Sequence, residues 1–193
     1  NPLPMNRAPI IYCVLAFLLA TASPHVAAED PPAAEVPPVL LTETHQKPCR
    51  LRPGDAFPAM KLPRLDGQEA ALAKLQGKQA TVVILWGRDY WMTRAALSDL
   101  AKDVPRLFEN KPVALVGVAV GHTPATANPV LAATGAKFPQ LLDAEGQAVA
   151  KVTAAVLPQI YVLDGTGKVA WFDIEYSEST RRELQQPLEA LLK

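Results

Sequence analysis

Few side chains in this chain could carry redox, nucleophilic or metal chemistry. The sequence has two cysteines, Cys13 and Cys49, and three histidines, His25, His45 and His122. A thiolate is the nucleophile of thiol–disulfide exchange, and thiolate and imidazole groups are the usual ligands of zinc. What these residues can do depends on which of them the mature protein keeps and on the elements that hold them.

The N-terminal 28 residues have the pattern of an exported protein. Arg7 supplies a positive charge, residues 10–20 form an apolar run, and residues 26–28 are small enough for a cleavage site. The run is shorter than the roughly 20 residues of a membrane-spanning helix. We therefore predict that residues 1–28 are an N-terminal extension and signal peptide. The protein would be periplasmic or extracellular, with no stable membrane anchor after cleavage.

The next segment predicts a linker ahead of one folded domain. Residues 29–48 contain five prolines and few side chains that could be buried, which is typical of an extended linker. We place the domain at residues 49–193. Lys and Arg together number 19, as do Asp and Glu, and no basic stripe is present, which argues against nucleic-acid binding. Only His45, in the linker, and His122 remain in the mature chain, so we predict no metal site and no cofactor.

Cys49 is the only cysteine of the predicted mature chain, because Cys13 leaves with the signal peptide. It cannot form an intramolecular disulfide. Three interpretations stay open: a partly buried bystander at the domain edge, a Cys49-linked dimer, or a reactive thiol. Arg50 and Arg52 could supply the electropositive setting that a reactive thiol needs.

Residues 81–100 predict a strand, a short polar elbow and a helix. Residues 82–85 are apolar at successive positions, which is typical of a strand covered on both faces. After the elbow, apolar residues recur at helical spacing: Ala96, Leu97, Leu100, Val104, Leu107 and Phe108. Residues 90–93 therefore lie at the N-terminus of this helix.

The other elements predict a sheet around that strand. A hairpin over residues 60–75 precedes it; later strands are predicted at residues 112–120, 140–142, 160–163 and 168–174. Helices are predicted at residues 125–134 and 147–152, and a last helix begins at the capping-box spacing of Thr180 and Glu183. His122 is interpreted as a loop residue after the second buried strand.

Residues 85–94, Leu-Trp-Gly-Arg-Asp-Tyr-Trp-Met-Thr-Arg, resemble the Phe-Trp-Ala-x-Trp-Cys-x-x-Cys-Arg segment of thioredoxin-like proteins. The likeness is strongest to exported redoxins of the TlpA/ResA type and the related AhpC/TSA family. Residues 53–58 resemble the domain opening of these proteins, and residues 157–169 resemble the strand that begins with the family's cis-proline. The resemblance implies an α/β thioredoxin-like fold: a central mixed β-sheet with helices on both faces and an N-terminal β-hairpin.

In this resemblance Tyr90 and Thr93 stand where the two redox cysteines would be. A Cys-x-x-Cys pair works because the helix N-terminus stabilises a thiolate and the second thiol closes the disulfide. Neither tyrosine nor threonine offers a sulfur that can cycle between oxidation states. We therefore predict no catalytic residue at the usual site.

Two classes of function remain. The first is a redox-inactive module that binds a peptide or partner protein in a groove formed by Tyr90, Trp91, Met92, Leu157 and Pro158. The second is a thiol–disulfide oxidoreductase or peroxiredoxin-like enzyme that uses Cys49 or a partner's thiol. An exported structural domain without a groove function is a third interpretation. The missing cysteines favour the binding module.

Overall fold

The computed structural model describes residues 35–193 of the chain. The predicted signal peptide and the first part of the predicted linker lie outside the described residues. Seven strands lie within residues 35–193: β1 (Lys61–Pro63), β2 (Glu69–Ala71), β3 (Ala80–Trp86), β4 (Val113–Val120), β5 (Gln140–Asp143), β6 (Gln159–Asp164) and β7 (Val169–Ile174). The five α-helices of this range are α1 (Glu43–Gln46), α2 (Trp91–Leu107), α3 (Pro124–Thr134), α4 (Glu178–Glu183) and α5 (Gln185–Leu191).

Strand β3 is the centre of a five-stranded mixed sheet with the order β5-β4-β3-β6-β7. It runs parallel to β4, with Ala80 opposite Val113 and Trp86 opposite Ala119. It runs antiparallel to β6, and β6 pairs antiparallel with β7. All seven residues of β3 are buried, as its unbroken apolar run predicts. The α/β class, the mixed sheet and the N-terminal hairpin of β1 and β2 are confirmed.

Alternate residues of β3 enter two separate cores. Val82, Ile84 and Trp86 belong to one buried cluster, and Val83 and Leu85 belong to the other. This is the period of two that a strand imposes on its side chains. The sheet is therefore covered on both faces.

Different elements cover those two faces, and the buried apolar residues of the α-helices belong to only one of them. Apolar residues of α2, α3 and α5 pack with Ile84 on one face. The other face receives Cys49, Phe57 and Met60, together with Leu72 and Val149 from two 3₁₀ turns. The helix predicted at residues 147–152 is only the second of these turns, Val149–Lys151.

The last helix differs from its predicted form. Its N-cap is Ser177, whose hydroxyl oxygen accepts the Thr180 N–H at 3.3 Å, so the predicted start at Thr180 is wrong by three residues. Thr180 is buried and its hydroxyl donates to Asp173 at 2.6 Å. The helix is also divided into α4 and α5. Pro187, four residues after Glu183, has no N–H to continue the hydrogen-bond ladder.

The described part of the predicted linker lies against the domain. Val36 and Val39 are half-buried and pack on the helical face of the sheet. The Gln186 side-chain amide donates to the Glu35 carbonyl at 3.2 Å, and the Ala154 N–H donates to the Pro48 carbonyl at 2.8 Å. The linker residues that make these contacts precede residue 49, the predicted start of the domain.

Candidate functional site

The elbow between β3 and α2 is held by the buried Gln140 of β5 and by the half-buried His122, two residues after β4. The Trp86 indole N–H donates to Gln140 Oε1 at 3.0 Å, and its ring lies 4.6 Å from the His122 ring. His122 Nε2 donates to the Gly87 carbonyl at 2.7 Å. His122 is therefore more than a loop residue, since it fixes the backbone where the elbow begins.

Tyr90 connects the elbow to the segment before β6. It is the N-cap of α2, and its hydroxyl donates to the Leu157 carbonyl at 2.7 Å. Burial, with a smaller contribution from the negative charge of Glu175, raises the pKa of the Tyr90 hydroxyl. The phenol therefore keeps its proton, and with it the hydrogen bond, throughout the neutral range.

Three further predicted groove residues, and Thr93 at the second position of the replaced cysteine pair, lie in different environments. Trp91 is 70% exposed. Met92 is half-buried, and its Sδ accepts the Tyr176 N–H at 3.3 Å. Thr93 is fully buried, and its hydroxyl has no hydrogen-bond partner in the described part of the chain. Pro158 is buried and its bond to Leu157 is cis.

An ion pair braces the outer side of the elbow. Both Asp89 carboxylate oxygens accept from the Arg94 guanidinium, each at 2.7 Å. The hydrogen bond from Arg94 lowers the pKa of Asp89. The charges of Asp89 and Arg94 therefore compensate each other.

Beside the elbow, an open cleft of about 760 Å³ lies at the C-terminal ends of β3 and β4. Six residues line it: Gly87, Arg88, Tyr90, Val120, Val156 and Leu157. Two of them, Tyr90 and Leu157, are predicted groove residues. We name this feature the elbow cleft. Its walls are largely apolar, and its volume falls in the range of about 300–1,000 Å³ that is usual for ligand sites.

Sequence reasoning missed four of the residues that line the elbow cleft. Val120 ends a strand whose five preceding residues are buried, and Val156 precedes Leu157 without any motif of its own. Gly87 and Arg88 lie inside the elbow, and the sequence offered a signal for them as site residues. The polar Arg88, which follows a buried strand end, was the available signal, because parallel sheets place ligand sites at such ends.

Cys49 lies in an environment that does not favour a reactive thiol. It is 4% exposed, and its Sγ donates to the His45 carbonyl at 3.2 Å. Burial raises the pKa of the thiol, and the Arg52 charge only partly opposes that rise. The Arg52 guanidinium donates to the carbonyls of Cys49, Leu51 and Gln46.

We therefore expect Cys49 to resist alkylation in the folded protein. Mass spectrometry of residues 29–193 after iodoacetamide treatment at pH 8 should show an unmodified chain, and the same treatment in guanidinium chloride should add one label. A non-reducing gel should show a monomer. Rapid labelling of the native protein, or a dimer that dithiothreitol dissolves, would contradict the buried placement.

The described residues offer the elbow hydrogen-bonding and apolar groups but no sulfur nucleophile. Residues 35–193 contain no cluster of three or more His, Cys, Asp or Glu placed to hold a metal ion. In the same range, no helix combines the length and apolar character needed to cross a membrane.

Comparison with known proteins finds one family and many related folds. A family model described as the AhpC/TSA family matches residues 53–172. No curated protein matches the chain. A protein from Bacteroides thetaiotaomicron assigned as a protein disulfide isomerase has 20% identity and a TM-score of 0.68, with 75% of this chain and 92% of that chain covered.

Two further solved structures have the same architecture. A protein from Chlorobium tepidum assigned as thiol:disulfide interchange protein DsbE has 22% identity and a TM-score of 0.67, covering 74% of this chain and 99% of that chain. A secreted Mycobacterium tuberculosis disulfide oxidoreductase homologous to E. coli DsbE has 20% identity and a TM-score of 0.57, covering 68% and 96%. The thioredoxin-like fold that the resemblance implied is confirmed.

Proposed function

The chain belongs to the AhpC/TSA family, and we propose that it is an exported, redox-inactive member. We propose further that it binds extended peptide segments at the elbow cleft. The thioredoxin-like scaffold supplies the strand end and the helix N-terminus that form the elbow. The elbow then acts as a contact surface for a protein or peptide partner.

The observation that carries this proposal is the exposure of Trp91, which directly follows Tyr90, a residue that lines the apolar elbow cleft. Trp91 is 70% exposed at the first position of α2, and Val156, which lines the elbow cleft, is 73% exposed. An exposed apolar side chain is common by itself, but an exposed tryptophan at the same elbow as an apolar cleft favours an interaction site. Tryptophan is also enriched among the residues that dominate binding energy at interfaces.

The absence of a thiol pair supports contact over catalysis. Tyr90 and Thr93 contain no sulfur, and Cys49 is buried with a raised pKa. A thiol enzyme needs an accessible thiolate. The alternative of a thiol–disulfide oxidoreductase that uses Cys49 therefore finds no support in the geometry of that residue.

Export rests on two observations. The sequence of residues 1–28 has the charged, apolar and small-residue regions of a signal peptide. One of the proteins that share the fold is itself described as secreted. Together they favour a periplasmic or extracellular partner.

The function is tested by the substitution Trp91→Ala. We expect the affinity for an extended apolar peptide to fall roughly thirtyfold, as for other aromatic residues that dominate interfaces. The midpoint of thermal unfolding should change by less than about 2 °C, because an exposed ring contributes little to stability. Isothermal titration calorimetry with residues 29–193 measures the first quantity, and differential scanning calorimetry measures the second.

Leu40→Ala is the matched control, because Leu40 is an equally apolar residue, 85% exposed, outside the elbow cleft. It should leave peptide affinity unchanged. If Trp91→Ala binds as the unaltered protein does, or if it unfolds the domain, Trp91 is not a contact residue and the proposal is wrong.

A further inference from the structure

Of the two backbone polar groups of Leu157, which lines the elbow cleft, one has a hydrogen-bond partner within the chain and the other does not. The Leu157 carbonyl already accepts the Tyr90 hydroxyl at 2.7 Å. The Leu157 N–H has no partner among residues 35–193. The free backbone group beside the cleft is therefore a donor, while the neighbouring acceptor is occupied from within the chain.

This imbalance works against an internal stretch of peptide. An added strand pairs through both the N–H and the carbonyl of the residues it faces. At Leu157 the N–H of such a strand would have to share the carbonyl with the Tyr90 hydroxyl, which weakens that half of the pairing. A carboxylate has no such requirement, because it only accepts hydrogen bonds.

Arg88 adds a positive charge to the same cleft. It is exposed, lines the elbow cleft, and makes no ion pair and no side-chain hydrogen bond within residues 35–193. A guanidinium presents paired N–H donors that match the two oxygens of a carboxylate. Arg88 is thus an uncompensated cation beside apolar walls.

The neighbouring acidic side chains do not form an ion pair with Arg88. Asp89, the nearest acid in sequence, is bound by both Arg94 hydrogen bonds. Glu175 influences Tyr90 but does not line the elbow cleft. The Tyr90 side chain does not accept a hydrogen bond from the first N–H groups of α2, so the positive end of this helix also favours an anion.

We propose that the elbow cleft selects the C-terminal end of an apolar peptide segment, with the α-carboxylate on Arg88 and on the Leu157 N–H. The preceding apolar side chains would lie against Val120 and Val156. This inference rests on the proposed peptide-binding function and specifies its ligand. Charge complementarity decides the occupant: the cleft offers a cation and donors to a ligand with an apolar body and one anionic end.

The test compares two peptides that differ only at the C-terminus, acetyl-Lys-Gly-Val-Leu-Val as the free acid and as the amide. Calorimetry with residues 29–193 should show that the acid binds about tenfold more tightly, the expected effect of charge-assisted hydrogen bonds. Arg88→Gln should remove this difference by weakening the acid and leaving the amide unchanged. Arg182→Gln, an exposed arginine outside the cleft, should preserve the difference.

A second variant tests the role of Tyr90. Tyr90→Phe keeps the ring and frees the Leu157 carbonyl, so the amide peptide should bind several-fold better and the preference for the acid should shrink. Circular dichroism checks that each variant is folded.

Each other outcome overturns the inference in a distinguishable way. Equal binding of acid and amide, weakened by Trp91→Ala, would refute carboxylate selection and leave the peptide-binding function standing. Tight binding of decanoate without binding of either peptide would assign the cleft to a lipid carboxylate and refute both proposals. Binding of none of these three probes would likewise refute both.

Discussion

The double substitution Tyr90→Cys, Thr93→Cys should create a protein that reduces insulin disulfides with dithiothreitol as electron donor, at a rate at least roughly tenfold above that of the unaltered protein. The two positions lie one turn apart at the start of α2, and Thr93 is fully buried while Tyr90 is half-buried. The N–H groups of the first turn of α2 lack helical partners and would stabilise a thiolate at position 90. We therefore expect the two sulfur atoms to be sufficient for activity at this elbow.

The unaltered protein should show no turnover beyond that of its Cys49→Ser variant in the same turbidity assay. The single substitutions Tyr90→Cys and Thr93→Cys are the matched controls, and neither should catalyse repeated reduction because each lacks the second thiol. A double variant that folds but stays inactive would show that more than the sulfurs separates this elbow from a redox site.

The second large effect is expected from Gly117→Ala in β4. A methyl group at Gly117 would overlap the side-chain amide of Gln140. That amide accepts the buried indole N–H of Trp86 at 3.0 Å. Displacing it leaves a buried donor unpaired in addition to the overpacking, so the free energy of unfolding should fall by about 2–4 kcal/mol.

Urea denaturation followed by circular dichroism measures this loss. Gly87→Ala is the control, because a methyl group there would lie 3.4 Å from the Leu157 side chain, an ordinary contact. We expect it to cost less than about 1 kcal/mol. A Gly117→Ala protein within about 0.5 kcal/mol of the unaltered one would show that Gln140 can move without cost.

Much of the fold could be predicted because its signals are local. The apolar run of β3, the helical spacing in α2 and the glycines between β6 and β7 each identify an element from neighbouring residues. The last helix start was misplaced because two sites offered similar caps: Thr180 has the right spacing, but Ser177 is the residue that caps. In the structure the Thr180 hydroxyl donates to the Asp173 carboxylate instead of capping a helix.

The candidate site depended on contacts between residues distant in sequence, which a pattern cannot supply. The Tyr90 hydroxyl meets a carbonyl 67 residues away, and Trp86 meets Gln140 across 54 residues. Cys49 is buried where its backbone pairs with Thr153, more than a hundred residues later. The elbow can be predicted from sequence because it joins two consecutive elements. On the opposite wall of the cleft, Leu157 was predicted, and Val120 and Val156 were not.

The most direct test of a peptide-binding elbow is an NMR titration of ¹⁵N-labelled residues 29–193 with the free-acid peptide. The account predicts that the largest chemical-shift changes occur at the Trp91 indole and at the backbone amides of Arg88, Tyr90, Val156 and Leu157. Changes confined to another surface, or none at saturating peptide, would contradict it.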